Sequence, residues 1–276
     1  MADEGRAALV SGGGTGIGRA TATRLAKAGY RVGIVGRRTE PIDHVADELN
    51  ADGGAVIGVS ADVGTADGAA RAVGAVIDAF GRLDALVCSH GVAHSAPVGD
   101  ETLERWEATL RINLTGPFLL ARAALPHLIR ARGAIVNVSS TADWYAGPSS
   151  ASYCASKAGL SMLTRSLAND YGPVGVRANC VSPGWVRTPM GDSDMTALAD
   201  DWGVSIDDAY WLCNRETPLK RAADPEEIAE VITFLAGREA SYVTGAVIAV
   251  DGGATAVDVS STPFHGPDEK LRELLH

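Results

Sequence analysis

The segment ALVSGGGTGIGRATATRLAKAG, residues 8–29, decides the fold class of this chain. A short apolar run ends at Ser11, and glycines at positions 12, 16 and 18 separate it from a stretch with helical periodicity. Glycines at such a junction let the chain turn sharply and let the helix pack closely on the strand. The free N–H groups at the start of the helix then form a phosphate site. The segment therefore predicts a strand–loop–helix unit that binds a dinucleotide.

Short apolar runs alternate with longer helical patterns along the rest of the chain. The predicted strands are residues 7–10, 32–35, 55–60, 85–89, 134–139, 178–182 and 246–250. The predicted helices are residues 17–28, 41–50, 66–80, 103–130, 153–171 and 225–236. The strands are apolar on both faces, which is typical of a parallel sheet covered by helices on both sides. We predict a single-domain α/β fold with a doubly wound, Rossmann-type parallel sheet of about seven strands.

Two segments lie outside this alternation. Residues 189–223 form a long insertion before the last helix–strand pair, and such excursions often serve as lids over a binding site. We therefore predict a domain over 1–255 with a lid at about 189–223. Residues 256–276 form a C-terminal extension, and its last ten residues, PDEKLRELLH, fit a short helix.

The bulk composition limits the function classes. The 276-residue chain has a net charge of −10, which argues against a nucleic-acid surface and against binding to anionic membranes. It has no signal-peptide pattern and no apolar run of about 18 residues, so we expect a cytoplasmic protein. The four cysteines show neither CxxC pairing nor zinc-ligand spacing, which predicts reduced thiols and no metal site.

The glycine spacing GxxxGxG is longer than the common GxGxxG. The loop SGGGTGIG, residues 11–18, resembles the TGxxxGIG motif of the short-chain dehydrogenase/reductases, with Ser11 where that family usually has Thr. The resemblance extends over roughly residues 5–253. It implies an oxidoreductase that binds NAD or NADP, and it assigns five loop residues to the cofactor: Gly12, Thr15, Gly16, Ile17 and Gly18.

The end of the second strand, VGIVGRR, bears on the choice of dinucleotide. In the family, NAD-preferring members carry Asp at the position of Gly36, whereas NADP-preferring members carry an arginine like Arg37. A guanidinium can bind a 2′-phosphate bidentately, and Arg38 can assist. We therefore predict NADP(H), with NAD(H) as the alternative. By the same resemblance Asp62 and Val63 contact the adenine.

Four further residues match the family's catalytic group. Ser140 follows the fifth strand, Tyr153 comes 13 residues later, Lys157 follows four residues on, and Asn113 lies on the preceding long helix. The resemblance implies that Tyr153 is the acid/base and that Ser140 orients the substrate oxygen. Lys157 would bind the nicotinamide ribose, and Asn113 would hold a helix kink and a water that connects Lys157 to solvent.

A free tyrosine, with a pKa of about 10, holds its proton too tightly for rapid base catalysis near neutral pH. A nearby ammonium and an oxidised nicotinamide would both lower that pKa. Pro117 fits a disturbed helix beside Asn113.

Two more motifs complete the expected cofactor site. NCVSPGWVRTPM, residues 179–190, resembles the family's PG motif, so Pro183, Gly184, Val186 and Thr188 are expected near the nicotinamide. The fourth strand departs from the family, because LVCSHGV has Cys88, Ser89 and His90 where Asn, Asn and Ala are usual. We expect the backbone of Ser89, His90 and Gly91 to contact the cofactor. The His90 change is either a packing substitution or a pH-sensitive contribution to cofactor affinity.

Several aromatic and polar side chains are candidates for a substrate wall. They are His94, Trp144, Tyr145, Trp185, Tyr210 and Trp211, with Met190 and Trp202 nearby. Such a set suits an apolar, aromatic or cyclic carbonyl compound or alcohol, although the same aromatics would also serve to pack the lid onto the domain. The helices at 103–130 and 153–171 resemble those that form the family's four-helix interface, which implies a homotetramer or a homodimer.

These observations predict an NADP(H)-dependent enzyme that reduces a ketone or oxidises a secondary alcohol by hydride transfer. An NAD-dependent secondary-alcohol dehydrogenase is the alternative within the same class. A catalytically silent dinucleotide-sensing protein is the alternative from another class, although such a sensor has no need of an acid/base tyrosine.

Overall fold

The computed structural model describes residues 5–258 and 260–261. Its seven strands are β1 Ala7–Ser11, β2 Arg31–Gly36, β3 Ala55–Ser60, β4 Ala85–Cys88, β5 Ala134–Val138, β6 Arg177–Pro183 and β7 Val247–Val250. They form one sheet in the order β3-β2-β1-β4-β5-β6-β7, and every pairing is parallel. The predicted α/β class and the doubly wound parallel sheet are confirmed.

Helices cover both faces of this sheet. They are α1 Gly16–Lys27, α2 Thr39–Ala51, α3 Ala66–Phe80, α4 Leu103–Leu110, α5 Gly116–Ala131, α6 Ala151–Tyr171, α7 Pro189–Trp202, α8 Ile206–Asn214 and α9 Pro225–Ala236. Strands β1, β4 and β5 are buried along their whole length, and two large apolar cores lie on opposite sides of the sheet. Burial on both faces explains why the strand segments are continuous apolar runs instead of alternating ones.

The strand order reverses at β1, and this reversal positions the site. Strand β1 pairs with β2 on one side and with β4 on the other, so Ser11 lies beside Val35 and Cys88. The connections from the carboxyl ends of β1 and β4 leave in opposite directions, which opens a crevice between them. The glycine loop after β1 and the residues after β4 therefore meet at one edge of the sheet.

The predicted helix over 103–130 is interrupted. Between α4 and α5, residues Arg111–Thr115 form a π-helical turn. Pro117 has no N–H to donate to the carbonyl one turn earlier, and the buried Asn113 amide bonds to the backbone of Val92 instead of facing solvent. The structure thus has the disturbance expected near Asn113, as a full change of helix type.

The segment 189–223 forms a small helical layer with its own core. Helices α7 and α8 are joined through Gly203, which has a φ of 66°. Met195, Ala199 and Tyr210 are buried between these helices together with Ala222. The helix predicted for the end of the chain lies outside the described residues. No helix in the described part of the chain is long and apolar enough to cross a membrane.

Candidate active site

A cavity of about 470 Å³ runs along the carboxyl edge of the sheet. Its walls come from the glycine loop, the ends of β2 and β4, the residues after β3, and the start of α7. The predicted cofactor residues that line it are Gly12, Thr15, Gly16, Ile17, Gly18, Arg37, Arg38, Asp62, Val63, Ser89, His90, Gly91 and Thr188. The structure thus brings most of the predicted binding residues to one cavity.

The glycine loop has the geometry of an anion cradle. Gly12 has a φ of 70°, and a Cβ placed there would lie 2.9 Å from the backbone nitrogen of His90. A Cβ on Gly18 would lie 2.2 Å from the carbonyl oxygen of Gly12, so no other residue fits. Thr15 makes no side-chain capping bond to α1, and the first turn contains no acidic residue. The backbone N–H groups of the first turn of α1 therefore remain available to a phosphate.

One end of the cavity is positively charged. Arg37 and Arg38 are both exposed there, and among the described residues neither side chain takes part in an ion pair. Gly36 beside them contributes no carboxylate, although a Cβ there would meet Ile42 only at an ordinary 3.5 Å. This end therefore offers two guanidinium groups that, among the described residues, form no ion pair.

Asp62 lies in the same region with its carboxylate already engaged. Burial of the group opposes ionisation, but the N–H of Gly64 at 3.0 Å, the ion pair with Arg111 at 3.1 Å and the nearby charge of Arg37 together lower the pKa of Asp62. Arg111 belongs to the π-helical turn, and sequence reasoning missed it. The irregular helix brings Arg111 to Asp62, and nothing in the sequence around Arg111 predicts that ion pair.

The four candidate catalytic residues do not line this cavity themselves but lie together beside Gly91, which does. Lys157 is buried and donates from Nζ to the carbonyl of Val138 at 2.9 Å, and its Nζ lies 5.5 Å from the centroid of the Tyr153 ring. Ser140 lies close enough to the Tyr153 hydroxyl to favour its ionised form. A Cβ on Gly91 would lie 3.4 Å from Asn113 Oδ1 and 3.7 Å from Lys157 Nζ. Gly91 therefore joins this group to the cavity.

Burial dominates the protonation of the acid/base pair. It raises the pKa of Tyr153, against which the nearby Ser140 acts in the opposite direction. It also lowers the pKa of Lys157 to about 8, although Cys180 and Asp143 partly oppose that change. The sequence predicts a lowered pKa for Tyr153 from the neighbouring ammonium. In the chain without a bound cofactor, burial instead raises the pKa of Tyr153.

Asn113 is held in one orientation. Its Oδ1 accepts from the N–H of Val92 at 2.9 Å, and its Nδ2 donates to the carbonyl of Val92 at 2.9 Å and to Ser156 Oγ at 3.1 Å. The side chain is fully buried. These three bonds connect the π-helical turn to the loop after β4 and to α6, so Asn113 fixes the relative positions of all three.

His90 fills the space between the glycine loop and the start of α5. Its Nδ1 lies 2.6 Å from Ser11 Oγ, and a Cβ on Gly116 would approach its Nε2 to 2.7 Å. Burial first, and the charge of Lys157 second, lower the pKa of His90 to about 4. The imidazole is therefore neutral near neutral pH, and the packing interpretation of this substitution agrees with the structure.

Three predicted cofactor residues lie behind the cavity wall. Pro183 ends β6, and Gly184 donates its N–H to the carbonyl of Val250 at 3.2 Å. Val186 is buried, and its carbonyl accepts from Thr188 Oγ1 at 3.4 Å. Thr188 itself lines the cavity, so the other three support its position.

The predicted substrate residues divide into two groups. Trp144, Tyr145 and Trp185 are 43%, 59% and 38% exposed, and His94 is also exposed. The Tyr145 hydroxyl donates to the carbonyl of Thr255 at 3.3 Å. The first three belong to the segments that follow Ser140 and Gly184, and none of the four lines the cavity of the glycine loop.

The other two candidates lie in the α7–α8 layer. Tyr210 is only 2% exposed, its hydroxyl donates to Asp192 Oδ1 at 2.8 Å, and the Arg187 guanidinium lies 4.5 Å from its ring centroid. Tyr210 therefore packs in the core of this layer. Trp211 is partly exposed and lines a second cavity with Arg187 and Glu227.

Sequence reasoning also missed the apolar part of the cavity wall. These residues are Pro41, Ile42, Ala61, Val92 and Ile112. Apolar residues in loops and helix ends carry no periodic signal of their own, and only the folded chain brings them together.

Comparisons with known proteins agree with this geometry. A family model described as enoyl-(acyl carrier protein) reductase matches residues 12–255. Protein MoaE of Klebsiella aerogenes is 41% identical over 259 residues, which cover 94% of this chain and 99% of that protein. Cis-4-hydroxycyclohexanecarboxylate dehydrogenase of Sinomonas cyclohexanicum is 41% identical over 254 residues, covering 91% and 97%.

A solved structure gives the same result at the level of the fold. The crystal structure of levodione reductase superimposes with a TM-score of 0.88 at 31% identity, covering 92% of this chain and 99% of that one. The family model, over residues 12–255, spans the glycines at 12, 16 and 18 together with Ser140, Tyr153 and Lys157. The chain belongs to the short-chain dehydrogenase/reductase family, whose enzymes interconvert CH–OH and C=O groups.

Proposed function

We propose that this protein is an NADP(H)-dependent oxidoreductase that reduces a ketone, or oxidises a secondary alcohol, with Tyr153 as general acid/base. One observation carries the proposal: Tyr153 lies beside Ser140 and Lys157, and Lys157 lies next to Gly91, a wall residue of the cavity that begins at the glycine loop. A proton-transfer group and a candidate dinucleotide site are therefore adjacent, which hydride transfer to or from a carbonyl carbon requires.

The cofactor assignment rests on the charges along the cavity. The N–H groups at the start of α1 suit the diphosphate, and Asp62 and Val63 lie at the end suited to the adenine. Arg37 and Arg38 suit a 2′-phosphate, because neither guanidinium forms an ion pair within the described part of the chain and Gly36 beside them brings no carboxylate. When bound, the nicotinamide supplies or accepts the hydride.

Each of the four candidate catalytic residues then has a definite task. Ser140 hydrogen-bonds the carbonyl oxygen and orients it. Because burial raises its pKa, the Tyr153 hydroxyl keeps its proton near neutral pH and can give it to that oxygen during reduction. Lys157, close to the Tyr153 ring, favours the phenolate left behind. Asn113 holds the loop after β4 beside them.

The exposed aromatic side chains favour an apolar, cyclic substrate. Trp144, Tyr145 and Trp185 offer broad apolar faces with few charges, and Met190 lines the cavity. A relative that shares 41% of its residues with this chain is named for oxidising a hydroxyl group on a cyclohexane ring. We therefore propose a secondary alcohol, or its ketone, on a six-membered carbocycle.

The test follows absorbance at 340 nm with NADPH or NADH and a panel of cyclohexanones, and with 4-hydroxycyclohexanecarboxylates in the oxidising direction. We expect Tyr153→Phe to lower kcat by about 10³-fold while NADPH binding is retained. Tyr242→Phe, at a fully exposed position outside the cavity, is the matched control, and we expect it to keep turnover. Substantial activity of Tyr153→Phe would contradict the mechanism, and tight cofactor binding without any turnover by the wild type would favour the sensing alternative.

The cofactor preference has its own test. Arg37→Asp removes one guanidinium and places a negative charge beside the expected 2′-phosphate, so kcat/KM with NADPH should fall by about 10- to 100-fold relative to NADH. Arg71→Asp is the control, since it makes the same charge change on the exposed face of α3. An unchanged NADPH/NADH ratio in Arg37→Asp would remove Arg37 from phosphate recognition.

A further inference from the structure

One carboxylate lies where three elements of the proposed acid/base site meet. Asp143 ends the short 3₁₀ turn Thr141–Asp143 that directly follows Ser140. Its Oδ2 accepts a hydrogen bond from Ser182 Oγ at 2.7 Å and a second one from Ser161 Oγ. Both serines are buried, with exposed fractions of 0% and 7%. A single carboxylate oxygen thus joins the turn after β5 to β6 and to α6.

The two serines sit next to residues that carry the proposed chemistry. Ser161 lies one helical turn after Lys157 on α6. Ser182 directly precedes Pro183 and Gly184 at the end of β6. Because Asp143 N–H also donates to the Ser140 carbonyl at 2.9 Å, the turn that carries Ser140 cannot move freely against α6 or β6. The hydrogen bonds of Asp143 therefore set the spacing between Ser140 and the Tyr153–Lys157 pair.

The charge of Asp143 also acts on Lys157. The groups that face the Lys157 ammonium are Tyr153 on its own helix, Asp143, Cys180 on β6 and His90 after β4. Burial raises the pKa of Cys180 and lowers that of His90, so both are uncharged near neutral pH. Asp143 then supplies the negative charge in this set.

The same charge acts on Tyr153. Asp194 on α7, Cys154 and Asp143 all raise the pKa of its hydroxyl. The other oxygen of Asp143, Oδ1, is buried and has no hydrogen-bond partner among the described atoms. The carboxylate is therefore incompletely neutralised by donors, which leaves more of its field for the neighbouring ammonium and phenol.

We propose that Asp143 is a positioning residue of the acid/base site: it holds the Ser140 turn against α6 and β6, and it places a negative charge near the Lys157 ammonium and the Tyr153 hydroxyl. This inference rests on the proposed function, because it assigns Asp143 a task in that proton transfer. Asp143 makes two separate contributions. Its hydrogen bonds set the position of the Ser140 turn, and its negative charge sets the pH range in which the enzyme is active.

The variants separate these contributions. Asp143→Asn keeps the shape and an acceptor oxygen for both serines but removes the charge. Ser161→Ala and Ser182→Ala each remove one hydrogen bond and keep the charge. Thermal unfolding of every variant verifies that it is folded. The readouts are kcat and the pH profile of NADPH-dependent ketone reduction from about pH 6 to pH 10, with the substrate on which the wild type is most active.

We expect the Asp143→Asn profile to fall at lower pH than that of the wild type, because loss of the negative charge makes the tyrosine and the lysine release their protons more easily. We expect Ser161→Ala to lose about 5- to 10-fold in kcat with an unshifted profile. An Asp143→Asn enzyme with the wild-type profile would overturn the proposal, whether or not kcat falls.

The result that would contradict the proposed function differs from the one that would contradict the role of Asp143. If Tyr153→Phe retains turnover, or if the wild type turns over no substrate, the proposed function itself is wrong. If turnover depends on Tyr153 and Asp143→Asn has the wild-type profile, only the role of Asp143 is wrong.

Discussion

At the scale of a single residue, His90 links pH to stability. The imidazole is enclosed between the glycine loop and α5, with Nδ1 2.6 Å from Ser11 Oγ. Burial and then the Lys157 charge lower its pKa from 6.5 to about 4. Between these two values the unfolded chain binds the proton and the folded chain does not. The free energy of unfolding therefore falls as the pH drops through this range.

We predict that His90→Asn reduces this acid sensitivity. Asn keeps a short polar group within reach of Ser11 but does not titrate, so the slope contributed by His90 between pH 6.5 and 4 should disappear. The full contribution is on the order of 3 kcal/mol. Urea unfolding at several pH values measures it, and His44→Asn, at an exposed position on α2, is the control. Parallel pH dependences of His90→Asn and wild type would contradict this account.

At the scale of an element, the start of α5 packs closely against the histidine that follows β4. Helix α5 begins at Gly116, where a Cβ would lie 2.7 Å from His90 Nε2. The imidazole is buried and bonded to Ser11, so it has little room to move away. The side chain of His90 therefore leaves room only for a glycine at position 116.

This contact predicts that the effect of Gly116→Ala on the free energy of unfolding changes sign when His90 is removed. Gly116→Ala should destabilise the wild type by about 1–3 kcal/mol, because the added methyl overpacks against His90. In a His90→Ala background the same change should be neutral or stabilising by up to about 1 kcal/mol, since alanine favours helix more than glycine does. Denaturant unfolding of the four proteins gives the coupling energy. Equal effects of Gly116→Ala in both backgrounds would refute the contact.

The helices also show what a sequence can predict. The interruption near Asn113 was expected from Asn113 and Pro117, since a missing backbone donor is a local property. The π geometry was not, because it requires the bonds from Asn113 to Val92 that only the folded chain forms. The role of Asp143 was not predictable for the same reason, because its partners Ser161 and Ser182 lie 18 and 39 residues away in the sequence.

At the scale of the whole molecule, the order of elements was predictable and the lining of the site was less so. The seven strands were expected because burial on both faces leaves continuous apolar runs in the sequence. The glycine loop was expected because its spacing is local. The burial of Tyr210 was not predictable, because an aromatic residue in a helical layer looks the same in the sequence whether it faces a ligand or a core.

The outer surfaces of α5 and α6 predict how copies of the chain associate. Phe118 and Met162 are 45% and 56% exposed there, which is unusual for large apolar side chains on adjacent long helices. We expect a homotetramer or homodimer that buries them. Met162→Glu should shift the mass measured by light scattering toward the monomer, whereas Ile206→Glu, at a partly exposed position on α8, should not. A monomeric wild type would contradict this prediction.

The strand order has a consequence for how the chain folds. The central strand β1 needs β2, about 25 residues away, on one side and β4, nearly 80 residues away, on the other. Such distant pairings make folding slow compared with that of helical bundles of similar stability. During synthesis the β3-β2-β1-β4 half of the sheet can form once residue 88 has emerged, while β5, β6 and β7 add to its open edge later. We expect the free edge of β4 to be the surface most prone to aggregation in a stalled nascent chain.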